Sequence, residues 1–341
     1  MLAAFKKEQT YWLLLLPLVG KACMVHIGFW LKPAASLLQE DIYYIWLEGN
    51  RIINGENPYA RILASDMNFN NKYATYFPVT YLLSALVQKL GLTTFADWIY
   101  FWRPVSLIFN IGIATLVLKF FRDRSLTLLG LAAAMTLILG RWSIYIVRVH
   151  HIEFPAIFFL LLSLVLLNRQ RTLSLLALSL SLGIKQVAIF LLPLYLIYLW
   201  QTGDKNNRFK NMFLELLLIG SIPLLTSLPF IVADAESFIK SILFSATRFG
   251  DAHIIAAPSF DVVLAKKFTW FSGLIAKAPM LLLMGIIYLS YLKEKAGMWV
   301  CCTMVMMTFV YFNSILFLQY IIWPVCLVPF ELAAHMQKKL A

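Results

Sequence analysis

The chain has 341 residues, of which 61% are hydrophobic and 13% charged, where soluble proteins run at roughly 45–50% and 25%. Its 26 Phe, 15 Tyr and 10 Trp are spread over many separate apolar runs, which excludes a soluble enzyme and a soluble head on a single anchor. The net charge of +12 arrives in small groups between those runs and never as a basic stripe with interleaved aromatics, which argues against a nucleic-acid surface and for an all-α, polytopic integral membrane protein.

The first apolar run, 11–31, follows Lys6 and Lys7. It has no A-x-A site, and Lys21 spoils Gly20-Lys21-Ala22-Cys23 as a lipobox, so it reads as an uncleaved helix and not as a signal peptide. Further runs lie at 98–121, 125–145, 152–168, 172–200, 212–232, 271–292, 297–312 and 314–334; a spanning helix needs about 20 residues. The groups Lys6/Lys7, Lys119/Arg122/Arg124, Arg169/Arg171, Lys205/Arg208/Lys210, Lys293/Lys295 and Lys338/Lys339 belong on the cytoplasmic side. An even number of crossings must then separate each group from the next.

Two expectations follow from that parity. The apolar stretch 76–90, opened by Phe77-Pro78 and closed by Lys89, cannot be an additional crossing and is expected as a re-entrant or interfacial element on the outer side. Residues 172–200 must cross twice, but at about 1.5 Å per residue they are too few for two full spans. The turn Gly183-Ile184-Lys185-Gln186 is therefore expected below the outer membrane surface, where irregular backbone is tolerated only if protein encloses it. That puts Lys185 in a polar cavity open to the outside. The result is a single membrane domain, 1–341, of about ten crossings, with both termini inside, juxtamembrane helices in the first outer segment 32–97, and a second outer segment at 233–270.

The residues able to carry chemistry cluster in and beside those outer segments. Asp41 follows the first helix, on a stretch to Ile53 whose pattern suits a short helix lying along the membrane; it is either an interfacial helix cap or a functional acid. Arg141, Arg148, His150, His151 and Glu153 gather at the outer junction of two helices, where ionisable groups are paired or functional, and Arg148 with Glu153 is the candidate pair. In the second outer segment Arg248, Asp251 and His253 stand close together, followed by Pro258, Asp261, Lys266 and Lys267. Asn313 and Gln319-Tyr320 precede Trp323-Pro324 at the outer start of the last helix. Cys23, Cys301, Cys302 and Cys326 all lie in apolar runs without CxxC or zinc-ligand spacing, so no disulfide and no structural metal are expected. No P-loop, GxGxxG, HExxH or GxSxG occurs.

The ordered set Asp41, Gly55-x-Asn57-Pro58-Tyr59, Tyr76-Phe77-Pro78, Lys185 before a run ending in Pro193, Leu228-Pro229-Phe230 and Gln319-Tyr320-x-x-Trp323 through Pro329 resembles the GT-C superfamily of membrane glycosyltransferases. Within it, the set is most similar to family 87, the polyprenyl-phosphate-mannose-dependent mannosyltransferase-like group. The chain departs from that pattern at Tyr76-Phe77-Pro78, where relatives carry tyrosine and two prolines, and at His150-His151-Ile152-Glu153 in place of Gly-Gln; it has no Asp-x-Asp. The sugar and any divalent metal stay open, and no other cofactor is expected.

The resemblance implies transfer of mannose or a similar hexose from a polyprenyl-phosphate donor to a glycan or lipid acceptor hydroxyl, with inversion, at the extracytoplasmic face of the plasma membrane. It implies Asp41 as catalytic base and Lys185 and Arg248 as donor-phosphate ligands. Tyr59, Tyr76, His150, His151, Glu153, His253, Gln319 and Tyr320 are the candidate substrate contacts. A transporter or lipid flippase with a polar central cavity is the alternative, but the acidic outer segment after helix one has no counterpart in the second half, unlike the repeats of transporters. A scaffold subunit would need neither Lys185 nor the histidine cluster.

Overall fold

The computed structural model describes residues 16, 19–20, 23–28, 31–38, 40–64, 74–247, 263–264, 267–268, 270–271, 273–312 and 317–340. Among them every regular element is helical. After a 3-10 turn at Ala34–Leu37, the outer segment forms α1 (Asp41–Ile53), a short helical turn (Arg61–Ala64) and α2 (Val79–Lys89). Then follow α3 (Phe95–Arg122), α4 (Thr127–Leu139), α5 (Arg141–Val149), α6 (Glu153–Leu166) and α7 (Arg171–Ile184). The remainder is α8 (Leu192–Thr202), α9 (Arg208–Ala233), α10 (Ala235–Thr247), α11 (Gly273–Leu292), α12 (Met298–Phe312) and α13 (Ile322–Leu340).

Helices α3 and α9 and residues Ile275–Leu292 of α11 are each long and apolar enough to cross a membrane alone. The expected run 125–145 is not one straight span: it breaks at Gly140 into α4 and α5, bent by 46°. Helices α6, α7 and α12, and the 3-10 turn with α8, are shorter apolar segments. At 14 residues each, α6 and α7 rise only about 21 Å, well short of the roughly 30 Å hydrocarbon core. These elements support a multi-pass membrane protein; the count of ten crossings is a finer expectation than they bear out. Exposed Leu224, Leu225 and Val232 on α9 and Leu281, Leu282 and Ile286 on α11 give those helices outward apolar faces.

The segment 172–200 breaks where the sequence places its turn. Helix α7 stops at Ile184, Lys185 is extended (φ −153°, ψ 121°), and a 3-10 turn at Gln186–Leu191 leads into α8. The two arms run back on each other: the Arg171 guanidinium at the start of α7 reaches the Leu199 carbonyl near the end of α8, and Tyr198 donates to Asn168. Helices α6 and α7 are antiparallel and joined by small polar groups, with Ser181 donating to the Ala156 carbonyl and Ser174 to that of Ser163. Ser163 also meets the Tyr195 hydroxyl at 2.8 Å, so all three arms share one buried hydroxyl cluster.

The stretch 76–90 contains α2, whose partner is α1. Gln88 donates to the Trp46 carbonyl (2.9 Å) and Asn50 to Gln88 (3.3 Å). The two helices meet at Gly49, where an added Cβ would sit 2.7 Å from the Ser84 Cβ. Gly183, at the end of α7, is pressed in the same way against Val79 of α2. Gly49→Val is therefore expected to cost about 1–3 kcal/mol through overpacking, read as a lower thermal midpoint of the purified protein.

Candidate active site

The site is organised by the break at Lys185. Ending α7 so far inside the molecule leaves carbonyls that water cannot reach. The outer segment supplies the partners: the Thr80 hydroxyl donates to the Ile184 carbonyl (2.9 Å), and the Gln186 side-chain amide donates to the Thr75 carbonyl (2.6 Å). Pro193, in the first turn of α8, suits a helix that restarts there.

The Lys185 ammonium forms a buried salt bridge with Glu153, whose side chain begins α6. The residues are 3% and 0% exposed. The α6 N-terminus favours a carboxylate at that position. The rings of Tyr76 and Tyr320 cover the ammonium, with centroids 5.3 and 5.1 Å from Nζ. Two expectations are thereby corrected. Glu153 pairs with Lys185 instead of Arg148, which lies 5.5 Å from the Tyr145 ring. And Lys185 does not open onto an outer cavity, because the segment Thr75–Thr80 is hydrogen-bonded onto the turn and closes over it.

Asp41 is the first residue of α1, after Glu40 at the N-cap, whose side chain makes no capping bond. Glu153, Tyr320 and Asp41 all act electrostatically on Lys185, and Glu40, Asp41, Arg148 and Glu153 all act on Tyr145. The acid after the first run thus lies within electrostatic range of the lysine of the hairpin. His151 Nε2 is 3.5 Å from the Tyr145 hydroxyl, placing it beside the same group. His150 adopts the left-handed conformation (φ 56°) that ends α5, and its ring stacks on Trp102 (5.2 Å, 15°). Burial pushes its imidazole down to about 3, so it is neutral and packs the wall of the site.

The other candidates divide by geometry. Tyr76 and Tyr320 form the lid over Lys185, and Gln319 is buried in the 3-10 turn Leu318–Ile321 before α13. Tyr59 is fully buried against Phe230 and Phe238 and donates to the Tyr76 carbonyl (2.8 Å). It therefore has the geometry of an anchor for the lid, not of a substrate contact. Its motif has a local cause: Gly55 takes φ 79°, and the Asn57 side chain accepts from the Tyr59 amide to shape the turn. Arg248 and His253 lie outside the described residues, as do Tyr73, Asp251, Pro258, Asp261, Lys266 and Asn313. Among the described residues, no group of three or more His, Cys, Asp and Glu is arranged to hold a metal ion.

Sequence reasoning missed two charged clusters. Arg103, 1% exposed inside α3, is an ionisable group in an apolar run, which by itself marks a position worth singling out. Glu48 is 1% exposed on the inner face of α1, seven residues after Asp41 and two helical turns along. It pairs with Arg61 (3.1 Å) and Arg51 (3.4 Å). Burial nevertheless outweighs both guanidiniums and raises its carboxyl from the usual 4.5 to about 7.

Because folding favours protonated Glu48, the stability of the α1–α2 pair is expected to fall as pH rises from 4.5 to 7, and Glu48→Gln should flatten that dependence in thermal scans. Glu153→Gln and Lys185→Met each strand one buried charge and should destabilise by about 3–5 kcal/mol. The double variant should recover most of that loss; a double variant as unstable as the worse single one would contradict a pairwise salt bridge.

The comparisons with known proteins bear on this site directly. No curated protein and no solved structure matches the chain. A family model, ALG3 protein, matches residues 72–249, a little over half of the chain. The matched segment contains Tyr76, Glu153, Lys185 and Arg248; Asp41 and Tyr320 lie outside it. The narrower likeness to family 87 is not confirmed by this match. The chain belongs to the ALG3 protein family and is a multi-pass membrane mannosyltransferase of the GT-C superfamily.

Proposed function

We propose that the chain transfers mannose from a polyprenyl-phosphate donor to an acceptor hydroxyl of a glycan or lipid-linked glycan at the extracytoplasmic membrane face, by one inverting displacement. The family's use of dolichyl-phosphate sugar donors and glycan or lipid-linked acceptors supports the substrate class. What supports the mechanism is that Asp41, at the head of α1, acts electrostatically on both Lys185 and Tyr145. A carboxylate beside a fixed cation is what this reaction asks for.

Asp41 takes the proton of the acceptor hydroxyl as its oxygen bonds to the anomeric carbon. The bond from that carbon to the phosphate oxygen breaks, and the electron pair leaves with the lipid phosphate. A base must come within about 2.6–3.2 Å of the hydroxyl oxygen, and Asp41 stands on the first turn of α1. Lys185 and Arg248 stabilise the charge gathering on phosphate. Lys185, enclosed by two tyrosine rings and locked to Glu153, does so through a fixed field in a water-poor environment. Tyr145, on which Asp41 acts electrostatically, and His151 beside it orient the sugar.

Asp41→Asn is expected to lower single-turnover mannose transfer from polyprenyl-phosphate mannose by about 10²–10⁴-fold while leaving donor binding intact. Full transfer by this variant in correctly folded protein would remove Asp41 from the role of base. The product should carry the anomeric configuration opposite to the donor's; retention would contradict a single displacement.

A further inference from the structure

Thr75 and Tyr76 belong to no helix, and yet side chains hold all four of their backbone polar groups. The Tyr81 phenol oxygen accepts both amides, from Thr75 at 3.1 Å and from Tyr76 at 3.3 Å. The Thr75 carbonyl accepts from the Gln186 side chain at 2.6 Å, and the Tyr76 carbonyl from the Tyr59 hydroxyl at 2.8 Å. We propose that Tyr81, together with Tyr59, is a positioning residue of the transferase, the two phenols fixing the Tyr76 ring over the Lys185 ammonium.

The local chemistry explains why a tyrosine stands at 81. Chain that enters a buried helix from an irregular stretch must place its N–H groups on something other than water. A phenol oxygen can accept more than one hydrogen bond, so one side chain in the first turn of α2 serves two successive amides. Phenylalanine there would keep the ring and lose both bonds. Tyr81 is 2% exposed, and its ring lies edge-on to that of Tyr59 (6.2 Å, 78°) and nearly parallel to that of Tyr76 (6.4 Å, 22°). One neighbour thus sets both the backbone and the ring of Tyr76.

Position matters because of what Tyr76 covers. Its ring centroid is 5.3 Å from the Lys185 Nζ, close to the limit of about 6 Å at which a ring still attracts a cation. A ring displaced by about an ångström leaves that range, and water gains access to a salt bridge whose two residues are 3% and 0% exposed. The inference rests on the reading that Lys185 stabilises charge on the donor phosphate, since only then does its cover bear on the rate. Tyr81 acts through Tyr76 and not on the reacting atoms.

The test uses the full chain in nanodiscs, with transfer normalised to the folded fraction. In hydrogen exchange the Thr75 and Tyr76 amides should exchange as slowly as those inside α2, and Tyr81→Phe should speed both by about tenfold or more, the scale of one lost hydrogen bond each. Tyr81→Phe should also lower kcat for mannose transfer by about ten- to a hundredfold and leave the acceptor KM unchanged. The same substitution in a Tyr76→Ala background should cost nothing further, because the group it positions is gone. A merely structural role would lower kcat by the same factor in both backgrounds and would overturn the inference. So would fast exchange of the two amides in the unaltered chain, an unchanged kcat for Tyr81→Phe, or full transfer by Tyr76→Ala. Should Tyr81→Phe not fold, Tyr59→Phe, which removes only the bond to the Tyr76 carbonyl, takes its place in the same cycle with the same outcomes. Full transfer by folded Lys185→Met would fail the reading beneath the inference; an additive cycle while Lys185→Met has lost transfer fails the inference alone.

Discussion

A hairpin of two short apolar arms turns inside this protein, and everything distinctive about the molecule follows from how that turn at Lys185 is satisfied. Lysine at such a depth needs a counter-charge, and Glu153 at the start of α6 provides it. The Ile184 carbonyl freed by the turn needs a partner, and Thr80 provides it, while the Gln186 side chain binds the Thr75 carbonyl. The outer segment is thereby tied to the hairpin, which holds Tyr76 over the ammonium. Tyr59 fastens that segment from behind, against Phe230 and Phe238.

The same demands arrange the acid side. Helix α1 cannot drift along the membrane surface, because Gly49 lets it lie directly on α2, which in turn touches α7 at Gly183. Asp41 at its head is fixed relative to Lys185 by a relay of close helix contacts. Arg103 completes the enclosure by tying the entry of the outer segment to the end of α5. An enzyme handling a lipid phosphate gains from this arrangement, since cations held rigidly out of bulk water stabilise developing charge without having to reorganise.

Much of this was legible in the sequence, and what was not has physical reasons. Charge parity and the length of the run led 172–200 to be read as a hairpin with its turn at 183–186, and the helix does break at Lys185, because topology obeys counting rules that do not depend on side-chain packing. The same parity set 76–90 apart from the expected crossings, and the structure pairs α2 with α1. Pairing was harder: Arg148 and Lys185 are both plausible partners for Glu153 along the sequence, and only the closing of the hairpin decides between them. The closure over Lys185 was also invisible, since it depends on two side-chain hydrogen bonds across more than a hundred residues. Arg103 was hidden for the opposite reason: it stands alone in an apolar run, and its purpose shows only in the two distant carbonyls it binds.

The most direct test of the central claim, that Asp41 and the Lys185–Glu153 pair serve one reaction, is a map of the full chain with a non-transferable polyprenyl-phosphate mannose bound. The account expects the anomeric carbon to face the Asp41 carboxylate, with room for one hydroxyl oxygen between them, and the phosphate to lie on the side of Lys185 and Arg248. A donor seated with its sugar in a compartment that Asp41 does not reach, or on the opposite side of the membrane from α1, would contradict it.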